Sequence, residues 1–333
     1  MERFLVGSAL VVAALIAAGS IFGTQSFEFR IDDDDKPAAV QGAPAAQGVE
    51  TRYTAQSFDL RGAAGVLVVT PEDRTDIAVK ITGGAKLPPI KAQVTGDRLV
   101  LDGGLGRRVR HCRTGEPFGA TVSGYGELSG ADLPRIEIRT PKTLKLGVAD
   151  GVFTKVGPSD ALDASFAGCG DAVIGDVKGR LEINSAGSGD VVAGAAQSAN
   201  VSLAGSGQIE LGTITQGLEA SIAGSGSTRA KSVTGPLSAS IAGSGDVDVD
   251  GGAVSDASVS IAGSGDVSIE APVVNLRASI MGSGDIDVAA VSGALERTVM
   301  GSGSVNVGAG KSPNAAAPAS PAAPPSPPAP PKP

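Results

Sequence analysis

The stretch Val259-Ser260-Ile261-Ala262-Gly263-Ser264-Gly265-Asp266-Val267-Ser268-Ile269 decides the fold. Apolar and small polar residues alternate on both sides of a Gly-Ser-Gly centre. Alternation with period two is the pattern of β-strands. Glycine is required where a chain turns at positive φ or where stacked backbones crowd. The stretch therefore reads as strand, tight corner, strand.

The corner recurs eight times: once as Gly168-Cys169-Gly170, then as Gly-Ser-Gly starting at Gly187, Gly205, Gly224, Gly243, Gly263, Gly282 and Gly301. The steps are 19, 18, 19, 19, 20, 19 and 19 residues. Ala149-Asp150-Gly151-Val152 reads as a degraded copy one step earlier. So constant a period marks a solenoid. Helical periodicity and leucine-rich spacing are absent, and about 19 residues is too short for a helical pair. The fold class is all-β: a parallel β-helix whose coils carry two or three short strands. Stacking sets equivalent residues ~4.8 Å apart and generates columns. Leu203, Ile222, Ile241, Ile261, Ile280 and Val299 form an aliphatic core column. Ser202, Ser221, Ser240, Ser260, Ser279 and Thr298 form a hydroxyl column on the opposite face of the same strand, and the corner serines form another. Stacking alone explains these serines. None has a histidine in its repeat, so none reads as a nucleophile.

The run Ser240-Ile241-Ala242-Gly243-Ser244-Gly245-Asp246-Val247, repeated from Ser260 and from Ser279, resembles the hallmark of the head GIN domain family of auto-transporter adhesins. A strand-rich lead matches as well: Phe58-Asp59-Leu60, then 65–69, 76–81 and 97–101, with 133–141 leading into the first coil. The resemblance covers roughly residues 55–308. It implies a right-handed parallel β-helix and transfers no catalytic residue, since the family has none established. One departure stands out. A true autotransporter ends in a membrane β-barrel, whereas this sequence ends in a Pro-rich tail without alternating strands, which argues against self-translocation.

The rest of the 333 residues is segregated. Residues 1–23 hold a short positive start and an apolar run from Phe4, and read as a secretory signal peptide or a retained membrane anchor. Residues 24–50, with the acidic run 32–35, read as a disordered linker. Residues 51–156 are a β-rich lead or cap continuous with the solenoid, and residues 157–310 are the repeats. Residues 311–333 form a disordered Pro/Ala tail, holding ten of the 21 prolines. Lys and Arg exceed Asp and Glu by 16 to 11 in 51–156 but fall short by 6 to 17 in 157–310. The net charge of −8 argues against nucleic acid as a partner.

Three groups are candidate sites. Asp171, Asp190, Asp246, Asp266 and Asp285 share one repeat position, while Asp248 and Asp287 share another. Stacked carboxylates repel by ~1 kcal/mol per pair in water. A Ca²⁺ ion between coils would relieve this; bonds from the carboxylates to corner amides, or a solvated acidic face, are the plainer readings. Arg107, Arg108, Arg110 and Arg113 form a candidate anion-binding loop, for a glycan or lipid headgroup, or an exposed loop over the acidic solenoid. Cys112 and Cys169 are the only cysteines and read as a disulfide or as two separate small apolar residues.

The expected function is that of an exported, non-enzymatic envelope protein, adhesin-like or scaffolding, without a cofactor. It would lie in the periplasm or at the cell surface, or be anchored in the inner membrane through 4–23, and its ligand would be a surface glycan or protein. Two alternatives are a polysaccharide lyase or hydrolase and an anchored sensory protein. All ten aromatic residues lie at or before Phe166, and the one histidine is His111. The repeats therefore lack the aromatic platforms and the imidazole that sugar-processing sites use. An open solenoid end also predicts end-to-end self-association.

Overall fold

The computed structural model describes residues 42–113 and 117–308. The signal or anchor at 1–23, the first part of the linker and the 311–333 tail lie outside the described residues. Strands of about nine stacked turns, about 19 residues apart, make a parallel β-solenoid.

One coil shows how the sequence builds it. Leu218–Gly224 is the long first side, Gly224-Ser225-Gly226 the corner, and Ser227–Gly243 runs through the remaining sides into the next coil. On the first side Leu218, Ala220 and Ile222 are buried while Glu219, Ser221 and Ala223 face outward. The register to the next coil pairs Leu218 with Leu237, Ile222 with Ile241 and Gly224 with Gly243, all parallel. The aliphatic column from Leu203 to Val299 is continuous through these pairings. Cutting one of its interior members to alanine costs ~2–5 kcal/mol, because the coils above and below hold the cavity open.

The corners require both glycines, for different reasons. Gly263 sits at φ 142°, a region that side chains rarely adopt. Gly265 has no such φ, yet a β-carbon there would collide with the carbonyl oxygen of Gly245 in the coil before.

The lead belongs to the same stack. Ser57–Glu72 pairs along nearly all its length with Thr143–Val156 and is a coil of the solenoid. On its other edge lie Arg98–Asp102 and Pro134–Pro141, both parallel to it although later in sequence. Antiparallel strands then close this end: Lys91–Thr95 on Arg98–Asp102, and Ile77–Gly83 on Pro134–Pro141. The last part of the expected linker is tied in as well. Ala43–Pro44 pairs with 91–92, and Gln47 bridges Ile81. Pro44 is tolerated because it lies on a sheet edge, where its missing N–H is not needed.

The opposite end has no such cover among the described residues. Leu295–Gly301 and Ser304–Val307 are the outermost strands. Val299 is 39% exposed, whereas Ile280, its neighbour in the same column, is 0% exposed.

Candidate functional site

The acidic corner works through backbone amides. Asp246 Oδ1 accepts from the Asp266 amide at 3.0 Å, and Asp266 Oδ1 from the Asp285 amide at 2.8 Å. Asp285 Oδ1 accepts from both the amide and the hydroxyl of Ser304, each at 2.8 Å. Asp171 and Asp190 repeat the pattern on the Asp190 and Gln208 amides. Each carboxylate thus ties its coil to the next, and the bond offsets the repulsion of the stacked charges. Burial raises the Asp171 carboxyl above the usual range, against the amide bond that lowers it. Asp248 and Asp287 are not neighbours. Ser268 lies between them in the column, and Asp287 accepts from the Asn306 side chain at 3.0 Å. Among the described residues, no group of three or more His, Cys, Asp and Glu is disposed to hold a metal ion.

The arginine cluster lies on a small flap. Arg107 and Arg108 sit on the 3-10 turn Gly106–Arg108; Arg110 and Arg113 lie on Val109–Arg113. That strand pairs antiparallel with Gly119–Val122, which pairs with Gly126–Ser129. The four side chains are exposed. Arg113 meets Glu127 at 3.1 Å, and Arg110 donates to Ser123 at 3.0 Å. Neither Arg107 nor Arg108 meets a carboxylate among the described residues. The flap has its own apolar core of Leu105, Phe118, Val122 and Leu128, with Phe118 stacked 6.1 Å from Phe153 of the solenoid. A disulfide joins Cys112 of the flap to Cys169 of the first full corner, with Cα atoms 5.6 Å apart.

A third feature is an open groove of about 820 Å³ along the outside of the solenoid, beside the first strand of successive coils. Pairing sets Asn200, Glu219, Ser238, Ser258, Arg277 and Glu296 in one outward column. Two short serines stand between longer side chains at either end, so the column has a notch. The walls are braced: Asn200 donates to Glu219 at 3.0 Å, and Arg277 to Glu296 at 3.3 Å. Asn275 donates to Asp256 at 2.9 Å and accepts from the Ala294 amide at 3.0 Å, linking three coils along the rim. The register slips here by one residue, from Gly235 opposite Val254 to Leu237 opposite Ala257. Pro236, which has no N–H to donate, sits opposite the slip.

A family model described as putative auto-transporter adhesin, head GIN domain, matches residues 62–253 and 176–290. The chain belongs to this family. Two solved structures from Parabacteroides distasonis ATCC 8503 are similar, a putative lipid binding protein at 17% identity and a putative adhesin at 16%. They cover 79% and 78% of this chain and 98% and 96% of their own, each at a TM-score of 0.44. A putative adhesin from Bacteroides fragilis NCTC 9343 is similar at 16% identity, covering 79% of this chain and 98% of its own, at a TM-score of 0.34. No curated protein matches.

In this head GIN domain the columns are legible from sequence and the groove is not. The groove depends on the relative lengths of outward side chains six coils deep and on one register slip. Its only trace in the sequence is the single 20-residue step, from Gly243 to Gly263. Among the described residues, no helix is long and apolar enough to cross a membrane.

Proposed function

We propose that the protein is an exported, non-enzymatic, adhesin-like component of the cell envelope, held in the periplasm or at the cell surface. Residues 4–23 would direct export and either be cleaved or remain as an anchor. The carrying observation is the outer surface of the solenoid. It offers columns of hydroxyl, amide and carboxylate groups, many of them already bonded from coil to coil, and His111 lies apart on the flap. Such a surface is built to be contacted along its length rather than to activate a nucleophile. Cell fractionation with N-terminal sequencing tests the location. Incubation of the purified chain with a polysaccharide panel tests the absence of chemistry; saturable turnover that disappears on mutating one Asp column would overturn the reading.

Two further surfaces belong to it. Arg107 and Arg108, exposed and without carboxylate partners among the described residues, are assigned to anionic groups of the ligand surface, which salt-sensitive retention on an anionic matrix would detect. The open end at Leu295, Val299 and Val307 is assigned to self-association between two copies.

A further inference from the structure

We infer that the groove flanked by Asn200 and Glu296 is a binding site for a neutral, polyhydroxylated chain, a glycan lying along the solenoid axis. The inference rests on the surface-binding reading above and names the ligand class.

Four observations carry it. The first is size and shape. The groove has about 820 Å³ of space, within the range of ligand sites, and is open along its length. From Arg180 to Glu296 it crosses six coil steps, roughly 29 Å at ~4.8 Å per step. A linear polymer fits that shape, and a compact ligand would leave most of it empty.

The second is charge. Arg180 and Arg277 line the same groove as Glu219, Asp256 and Glu296. A polyanion would meet three carboxylates and a polycation two guanidinium groups, so neither is favoured end to end. A neutral chain meets no such penalty.

The third is hydrogen-bonding chemistry. Carboxylate, amide, guanidinium and hydroxyl groups alternate along the walls, supplying donors and acceptors at every coil. The planar groups of Asn200, Glu219, Asn275 and Arg277 are fixed by bonds to neighbouring coils, so they are pre-set for partners. Gln216, Ser238 and Ser258 are exposed beside them. Hydroxyls repeated along a sugar chain match this lining by hydrogen bonds alone, without the aromatic platforms that sugar-processing sites use. An extended peptide would seek a sheet edge, and the strands under the groove from Ser198–Gly205 to Val267–Gly282 are paired with coils on both sides, leaving an edge only at its Glu296 end.

The fourth is the β-bulge at Pro236 and Asp256. Bulges occur where a strand re-aims side chains, and this one lies among the residues that line the groove.

The test uses the full chain. Affinity electrophoresis and calorimetry are run against neutral polysaccharides (dextran, a β-glucan, a mannan), against anionic hyaluronate and heparin, and against an unstructured polar peptide. Neutral-chain binding is expected to fall ten-fold or more in Ser258→Trp, which fills the notch at an exposed position. It is expected to fall several-fold in Arg277→Ala, with Lys178→Ala unchanged. Thermal unfolding of each variant confirms that the solenoid is intact, and Arg277→Ala keeps the test open if the tryptophan variant misfolds. Binding only to the anionic polymers or to the peptide would overturn the assignment, as would neutral-chain binding indifferent to both groove variants, or no binding to any neutral polymer. Fractionation and turnover are read separately, so an exported, inert chain that ignores neutral glycans overturns the groove assignment alone.

Discussion

Asp150 stands beside Gly168 in the stack and adopts a φ of 76°, at the position where each later coil places a positive-φ glycine. Its carboxylate accepts from the Gly62 amide at 2.7 Å, in the coil before. Aspartate is one of the few residues with a side chain that tolerates this conformation, because it can bond locally.

Burial raises the Asp150 carboxyl above the ordinary range; the Gly62 bond opposes that shift, and nearby Asp102 adds to it. A raised folded-state value means that the folded chain holds the proton more tightly than the unfolded chain. The stability it contributes is full below the unfolded value of ~3.9 and is lost as pH rises through the folded value. Asp150→Asn keeps an acceptor for Gly62, tolerates the same φ and removes the titration. The unfolding midpoint of the parent, relative to that of the variant, should therefore be highest near the unfolded value and decline toward neutrality. A difference that is flat or grows with pH would reject the assignment. Asp150→Ala should be destabilised at every pH by ~1–3 kcal/mol, through the lost bond and the strained φ.

A second prediction concerns threonines in the core. Thr154 and Thr228 occupy one inward column with Ala172, Val191, Ile209, Val247 and Val267. Both are fully buried, and neither hydroxyl has a partner among the described residues. An unpartnered buried hydroxyl costs ~1–3 kcal/mol. Thr228→Val keeps the shape and should stabilise the chain by about 1 kcal/mol in denaturant titration. A loss of stability would mean that the hydroxyl is satisfied.

The corner glycines differ in what they tolerate. Gly265→Ala forces a β-carbon onto the Gly245 carbonyl, and its cost should reach ~2 kcal/mol or more. Gly251, at the bend between Asp246–Val249 and Gly252–Gly263, has room for a methyl group. A β-carbon added there would find its nearest neighbour, the Lys231 carbonyl oxygen, 3.8 Å away, and the φ of Gly251 is ordinary. Gly251→Ala should be neutral or stabilise by ~0.4–1 kcal/mol. Equal costs at the two sites would show that glycine content, not stacking, governs the corners.

The flap should depend on its disulfide. Cys112 and Cys169 are 57 positions apart, and by chain entropy a loop of that length is worth about 4 kcal/mol. Non-reducing peptide mapping should recover the two cysteines in one linked fragment. Reduction should raise hydrogen exchange across 109–113 and 117–129 well before the repeats respond, since the flap core is separate from the solenoid core. Uniform loosening of flap and repeats would contradict that separation.

These residues also show what a sequence can reveal of such a molecule. The Gly-Ser-Gly step and the column from Leu203 to Val299 repeat the same local physics in every coil, so each copy supports the others. The cap has no repeat to average over. Ser57 pairs with Lys145 and also with Arg98, and neither distant pairing leaves a periodic mark. For Cys112 and Cys169 the sequence leaves two readings open, because pairing depends on where the flap lands. The notch at Ser238 and Ser258 arises only when coils are stacked and side-chain lengths compared.

The open end carries its own restraint. Arg297 pairs with Ala278 and so takes an inward position in the last coil, where Ala278 is buried. An inward-pointing charge on an edge strand opposes pairing with another chain. Two ends meeting antiparallel about Arg297 would set Leu295 against Val299 of the second copy and bring the two guanidinium groups together. The wild-type chain should therefore associate weakly, with a light-scattering mass that rises only at high concentration. Arg297→Leu should dimerise more strongly, and Val299→Lys should stay monomeric. If the leucine variant gains no mass over the wild type, the end is not the surface through which copies meet.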